Sequence, residues 1–131
     1  MIEEGRALFL QIAESVEDSI IERSLPEEGQ APSTNELAAF YRINPATAAK
    51  GVNMLVDKGV LYKRRGIGMF VAPGARDLLL EERRTVFADR FVDPLLAEAR
   101  KLGLGPDDLT RLIRDRAATA PIATPTEGAE R

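Results

Sequence analysis

The stretch PSTNELAAFYRINPATAAKGVNMLVDKGVLYKRRGIGMFV, from Pro32 to Val71, decides the fold of this chain. Ser33 followed by Glu36 is a capping-box pattern, in which each side chain accepts a hydrogen bond from the other residue's backbone N–H, and it predicts the start of a short helix. Asn44 followed by Pro45 predicts the start of a second helix, because asparagine caps helices and proline fits their first position. Only a tight turn separates the two helices, as in a helix-turn-helix.

The second helix is followed by a change from helical to extended spacing. Val52, Leu55 and Val56 recur at the spacing of a buried helix face, and Gly59 can adopt the left-handed conformation that ends a helix. Residues 60–71 then contain two short extended runs around a glycine-bearing loop, which predicts a β hairpin. The fold class is therefore mainly α with a small β hairpin: an N-terminal winged helix-turn-helix followed by a short helical region.

One more helix is predicted ahead of this stretch. Between Ala7 and Glu22 apolar side chains recur at helical spacing, and acidic side chains, Glu17 among them, occupy the other face. We expect this helix to complete a three-helix core and to turn its acidic face to solvent.

The winged domain is predicted to span residues 1–74, because Ala72-Pro73-Gly74 breaks the pattern. Residues 75–116 are predicted to form helices, divided near Pro94, and residues 117–131, rich in Ala, Thr and Pro, a disordered tail. The helical region carries more large apolar side chains than it can bury alone, which favours a homodimer; packing back onto the winged domain is the alternative. The predicted dimerisation residues are Leu79, Val86, Phe87, Phe91, Leu95 and Leu96.

Charge points to a polyanionic partner. Between Arg42 and Arg65 the chain holds six basic residues and one acid, a net charge of +5 on a chain whose total is −3. Neutralising phosphates supplies most of the affinity of nucleic-acid-binding proteins, so a local cluster of this kind favours a nucleic acid.

Composition excludes several other functions. The chain has no cysteine and no histidine, which removes disulfides, thiolate and Ser-His chemistry and the commonest zinc ligands. It has no phosphate-cradling glycine loop and no catalytic spacing of carboxylates, so we predict no enzyme activity, no metal and no cofactor. No apolar run approaches about 18 residues, and no signal peptide is visible, so we expect no membrane partner and a cytoplasmic location.

The motifs PSTNELA, INPATAAK and LYKRRGIGMFV, together with ALFLQIA from Ala7 to Ala13, resemble the winged helix-turn-helix of the GntR family of bacterial transcription regulators. The Asn-Pro opening of the second helix and the short helical region resemble its YtrA subfamily most. The resemblance implies a homodimeric DNA-binding regulator of a neighbouring transport operon. It favours repression of that operon, with activation as the alternative. It also implies a short strand before the first motif that pairs with the wing, for which Ser24-Leu25 is the candidate.

A recognition helix reaches base edges and phosphates with its N-terminal residues, and free N–H groups at the start of the preceding helix favour a phosphate. Glycines in the wing allow close approach to the minor groove. The predicted DNA-binding residues are Ser33, Thr34, Asn35, Asn44, Ala46, Thr47, Lys50, Lys63, Arg64, Arg65, Gly66 and Gly68. Many family members carry arginines where this chain has Asn35, Pro45 and Ala49, so operator contacts made by those arginines do not transfer.

Two questions stay open at this stage. A winged helix can also serve as a protein-interaction or RNA-binding module, because fold alone does not fix function. A small-molecule effector can bind between the helices of a dimer, where Arg83, Arg84 and Arg90 would suit an anion, but a charged face of an amphipathic helix is more often only solvated.

Overall fold

The computed structural model describes residues 7–119. These residues form a mainly helical chain with one antiparallel hairpin, which confirms the predicted fold class. The elements in chain order are α1 (Leu8–Ile21), α2 (Thr34–Tyr41), α3 (Pro45–Asp57), β1 (Leu61–Arg64), β2 (Gly68–Val71), α4 (Ala75–Phe87), a π-helical turn (Ala88–Val92), α5 (Asp93–Lys101) and α6 (Pro106–Thr119).

Side-chain caps fix where α2 and α3 begin. The Ser33 hydroxyl accepts from the Glu36 N–H at 3.0 Å, and the Glu36 carboxylate accepts from the Ser33 N–H at 2.8 Å. The Asn44 side-chain oxygen accepts from the Ala46 N–H at 2.7 Å, and Pro45 occupies the first turn of α3. Both predicted helix starts are confirmed, and each helix begins next to the side chain that caps it.

The core of the winged domain lies where α3 packs against both α1 and α2. Gly51 of α3 lies directly against α1, since a Cβ built on it would be 2.7 Å from the carbonyl oxygen of Phe9. The largest fully buried side chains come from α1, α3, the hairpin and α4: Ile12, Ile20, Leu55, Val60, Val71 and Leu79.

Two side chains near this core differ from the prediction. The sequence predicts one apolar stripe on α2 made of Leu37, Ala38, Phe40 and Tyr41. Phe40 is nevertheless 70% exposed, because α2 turns only Leu37 and Ala38 fully into the core. Glu17 was expected on the solvated face of α1, but it is 7% exposed, because Lys58, the residue that follows α3, reaches its carboxylate.

The hairpin pairs Leu61 with Val71 and Arg64 with Gly68. Gln30, in the loop between α1 and α2, forms an isolated antiparallel β bridge with Phe70 of the hairpin. The Ser24-Leu25 prediction is wrong, because these residues continue the turn that ends α1, where the Leu25 N–H donates to the Ser19 carbonyl.

The start of α4 belongs to the winged domain. Ala75 and Leu79 are part of its hydrophobic core, and the described residues up to Glu82 form one compact unit while those from Arg83 onward form a second. The boundary thus lies eight residues beyond the predicted residue 74. Leu79, with no exposed surface, is not available as a dimerisation residue.

The second unit is built from consecutive helices. The π-helical turn precedes Pro94, which has no N–H to donate to the preceding turn, in agreement with a division of the helical run there. Ala99 of α5 and Leu109 of α6 are buried. Helix α6 continues to Thr119, so residues 117–119 of the predicted tail are helical, and residues 120–131 lie outside the described range. No described helix is long and apolar enough to cross a bilayer.

Candidate nucleic-acid interface

Helix α3 has one buried face and one exposed stripe. Ala48, Val52 and Leu55 are buried in the core. The residues that repeat at helical spacing on the opposite side are exposed: Ala46, Lys50, Asn53 and Asp57. Asn53 was missed by the sequence reasoning, although its position one turn beyond Lys50 predicts this exposure.

The N-terminal end of α3 carries three more of the predicted residues. Asn44 is exposed, and its side-chain oxygen is used as the helix cap while its amide nitrogen remains a donor. Thr47 is half-buried, and Lys50 extends over α1, with its ammonium nitrogen 4.1 Å from the ring centre of Phe9. A cation held over an aromatic face keeps its charge while its position is restricted.

The start of α2 presents backbone donors. Ser33 and Asn35 are exposed and Thr34 is half-buried. The capping box occupies both the hydroxyl and the N–H of Ser33, so what this end of α2 offers is the positive end of the helix dipole and the N–H groups of Thr34 and Asn35.

The wing loop turns at two glycines with positive φ. Gly66 has φ +78° and open space around it, and Gly68 has φ +145° with the Gln30 amide nitrogen 2.7 Å from the position of a Cβ. The same amide nitrogen donates to the Ile67 carbonyl at 3.1 Å. Gln30 therefore holds the wing loop from outside the hairpin, a role that hairpin periodicity alone does not predict.

The two faces of the wing differ. Side chains alternate along a strand, so Lys63 lies on the face of the buried Leu61, and Arg64 lies on the other face. Arg64 stacks at 4.0 Å on the Phe70 ring and forms an ion pair with Glu28. Lys63 and Arg65 are exposed without such a contact in the described part of the chain, so they are the stronger candidates for phosphates.

Lys58, which follows α3, is paired with two carboxylates. Its ammonium lies 2.7 Å from a carboxylate oxygen of Glu17 and 2.7 Å from one of Glu82. Partial burial lowers the pKa of Lys58, but the hydrogen bonds and charges of the two carboxylates outweigh it, so the pKa lies above its ordinary value of 10.5. These two ion pairs link α1, the C-terminal end of α3 and α4.

The second unit exposes an apolar surface. Val86, Phe87, Phe91 and Leu95 are 43%, 56%, 55% and 41% exposed, and Leu96 is half-buried. The Phe87 and Phe91 rings lie 5.6 Å apart. The second unit's other exposed large apolar side chains are Leu102, Leu112 and Ile113.

No group of three or more acidic side chains among residues 7–119 is arranged to hold a metal ion.

The chain is similar to known proteins both in its winged domain and over most of its length. Residues 8–71 match the family described as bacterial regulatory proteins, gntR family. The HTH-type transcriptional repressor YtrA of Bacillus subtilis is 23% identical over 111 residues, covering 85% of both chains. The transcriptional regulator YhcF of the same organism is 23% identical over 110 residues, covering 84% of this chain and 89% of YhcF. A crystal structure of a GntR-family transcriptional regulator from Bacteroides thetaiotaomicron superposes with a TM-score of 0.70 at 30% identity, covering 86% of this chain and 97% of that one.

Proposed function

Since this chain belongs to the GntR family of DNA-binding transcription regulators, which are not enzymes, we propose that it is a homodimeric repressor that binds an inverted-repeat operator. The similarity to YtrA along 85% of both chains fits the YtrA subfamily. YtrA is named a repressor, and repression of a transporter operon is the corresponding proposal for this chain. The proposed site of action is the bacterial cytoplasm, and no metal or cofactor takes part.

The observation that carries the proposal is the exposed stripe of α3. A recognition helix needs polar side chains on the side opposite its buried face, with the N-terminal ones reaching base edges. Asn44, Lys50 and Asn53 have this position. In the proposed complex Asn53 and the Asn44 amide contact base edges, Ala46 contacts a thymine methyl, and Lys50 contacts a phosphate.

The remaining contacts position the protein on the duplex. The start of α2, which follows Ser33, receives a phosphate at the N–H groups of Thr34 and Asn35. The wing loop enters or flanks the minor groove with Lys63 and Arg65, and Gly66 allows its backbone to approach closely. Because few side chains can make bidentate guanine contacts, part of the specificity depends on DNA shape.

Dimerisation is proposed through the exposed apolar surface of the second unit. Isolated large apolar side chains are common on surfaces, but Phe87, Phe91 and Leu95 recur every four residues and the first two rings lie 5.6 Å apart. Exposed apolar side chains that are grouped in this way favour an interaction site. A two-fold dimer places two recognition helices on successive major grooves, so the operator is expected to be an inverted repeat.

Selection of bound fragments from the host genome, followed by footprinting, tests the operator. We expect footprints with two-fold symmetry and an affinity that falls steeply with salt. A single asymmetric half-site would contradict the dimeric arrangement. No binding to DNA at low salt would favour a protein-interaction module, the second candidate, and preferential binding to RNA would favour an RNA-binding one.

A charge substitution tests the dimer surface. Phe91→Asp is expected to give a monomer in sedimentation equilibrium and to bind the full operator more weakly. Thr110→Asp, an exposed position in α6, is the control and should stay dimeric. If both variants sediment like the parent protein, the dimer surface lies elsewhere.

A further inference from the structure

A groove of about 740 Å³ lies on the winged domain between α1, the loop that follows α1, and α2. This volume falls within the range of about 300–1,000 Å³ that is typical of small-molecule sites. Its lining mixes hydroxyl groups, apolar side chains, an amide and a carboxylate, and its polar members include Ser15, Ser19, Gln30, Glu36 and Tyr41.

The charge of the groove selects its ligand. Glu36 is the only charged residue in the lining, which contains no lysine and no arginine among the described residues. One turn along α2, Phe40 is 70% exposed, and its ring stands edge-on to that of Tyr41, with centres 4.9 Å apart and planes at 85°. A carboxylate beside exposed aromatic surface is the combination that recognises an organic ammonium group.

Two residues of the lining also hold the elements that face DNA. The Glu36 carboxylate accepts from the Ser33 N–H at 2.8 Å, which closes the start of α2. The Gln30 amide donates to the Ile67 carbonyl at 3.1 Å, which holds the wing loop. A molecule that contacts Glu36 and Gln30 therefore acts on both positions where phosphate contacts are proposed.

We propose that this α1–α2 groove binds a small organic ammonium compound with an apolar body, and that its occupancy changes the affinity for the operator. The first half depends only on the groove, and the second half rests on the proposed function. The effector site is then in the winged domain and not between the helices of the second unit.

Binding is tested by ¹H–¹⁵N NMR on the full chain with three probes of similar size: 2-phenylethylammonium, neutral 2-phenylethanol and anionic phenylacetate. We expect the cation to shift the amide signals of Gln30, Glu36 and Tyr41 saturably, and the other two probes to bind about tenfold more weakly, as for loss of one charge-assisted hydrogen bond. No saturable shift, or equal binding of the three probes, overturns the proposal.

Substitutions test whether the negative charge of Glu36, and not its capping of α2, binds the cation. Glu36→Gln removes the charge but keeps the capping box, since glutamine serves at this position too, and should weaken binding of the cation about tenfold. Glu22→Gln makes the same change at an exposed position outside the groove and should leave the affinity unchanged. Phe40→Leu should also weaken binding. Unchanged affinity of the Glu36→Gln variant overturns the assignment.

The regulatory half is tested by fluorescence anisotropy of a labelled operator, with and without 2-phenylethylammonium. We expect the probe to change the operator affinity of the parent protein about fivefold or more, and that of the Glu36→Gln variant much less. Saturation of the groove with no change in operator affinity overturns the regulatory half. Failure to bind DNA without the probe would instead refute the proposed function, and the NMR result would stand independently.

Discussion

The substitution Gly51→Ala tests how closely α3 packs against α1. The added Cβ would lie 2.7 Å from the Phe9 carbonyl oxygen and 3.4 Å from the Ile12 Cβ. The obstacle is backbone in a buried helix contact, so the two helices must separate, and overpacking of this kind costs about 3 kcal/mol. Alanine is a better helix former than glycine by about 1 kcal/mol. The expected net loss in the free energy of unfolding is about 2 kcal/mol, or a fall in Tm of about 10 °C for a domain of this size.

Urea and thermal unfolding followed by circular dichroism measure this loss. Asn53→Ala is the matched control, because it introduces alanine on the exposed stripe of the same helix and should leave stability equal or slightly higher. At low temperature, where Gly51→Ala remains folded, operator affinity should still fall, because α3 is displaced from α1. A Gly51→Ala variant as stable as the parent protein would refute the close contact and the positioning argument built on it.

Three further substitutions test two proposed DNA contacts and the ion pairs of Lys58. Arg65→Ala should weaken operator binding and lower the slope of log K against log salt by about one, if it contacts a phosphate; an unchanged slope removes it from the interface. Asn53→Ala should cost about 1–3 kcal/mol against the preferred operator and relax selectivity at one base pair, measured by competition with single-base operator variants. Lys58→Met should lower the free energy of unfolding by about 2 kcal/mol at pH 7, because it leaves Glu17 buried without this ammonium. Since the folded-state pKa of Lys58 is raised above 10.5, its stabilisation is complete below that pH and is lost as pH rises through the folded-state pKa. Urea titrations at pH 7–11 check this, and a difference between parent and variant that does not change with pH would contradict it.

Features set by neighbouring residues could be predicted from the sequence. The capping box of Ser33 and Glu36, the Asn44-Pro45 start of α3 and the left-handed Gly59, with φ +86°, each depend on backbone groups within four residues. The hairpin was predicted because its extended runs and glycine loop are also local. The starts of α2 and α3 and the presence of the hairpin therefore follow from short-range hydrogen bonding and steric limits.

Features set by distant residues could not be predicted in the same way. Periodicity placed Glu17 on a polar face. Its carboxylate is buried because it accepts a hydrogen bond from the ammonium group of Lys58, 41 residues away. The same limit applies to Gln30, which reaches the wing loop across 37 residues. A helical stripe indicates which side chains share a face, but the extent of the partner surface decides which of them are covered, and α2 leaves Phe40 outside it.

Ion pairs with distant carboxylates reduce the number of cations that the segment from Arg42 to Arg65 can offer to DNA. Of the six cations between Arg42 and Arg65, Lys58 is paired with Glu17 and Glu82 and Arg64 with Glu28, so four remain for phosphates. A dimer then offers at most eight such cations from this segment, and the slope of log K against log salt should not be steeper than about −7 at 0.9 per phosphate. Adding the two paired cations of each protomer would give a slope near −11. Operator binding measured over a range of salt concentrations separates the two values, and the steeper one would mean that DNA displaces carboxylates from Lys58 and Arg64.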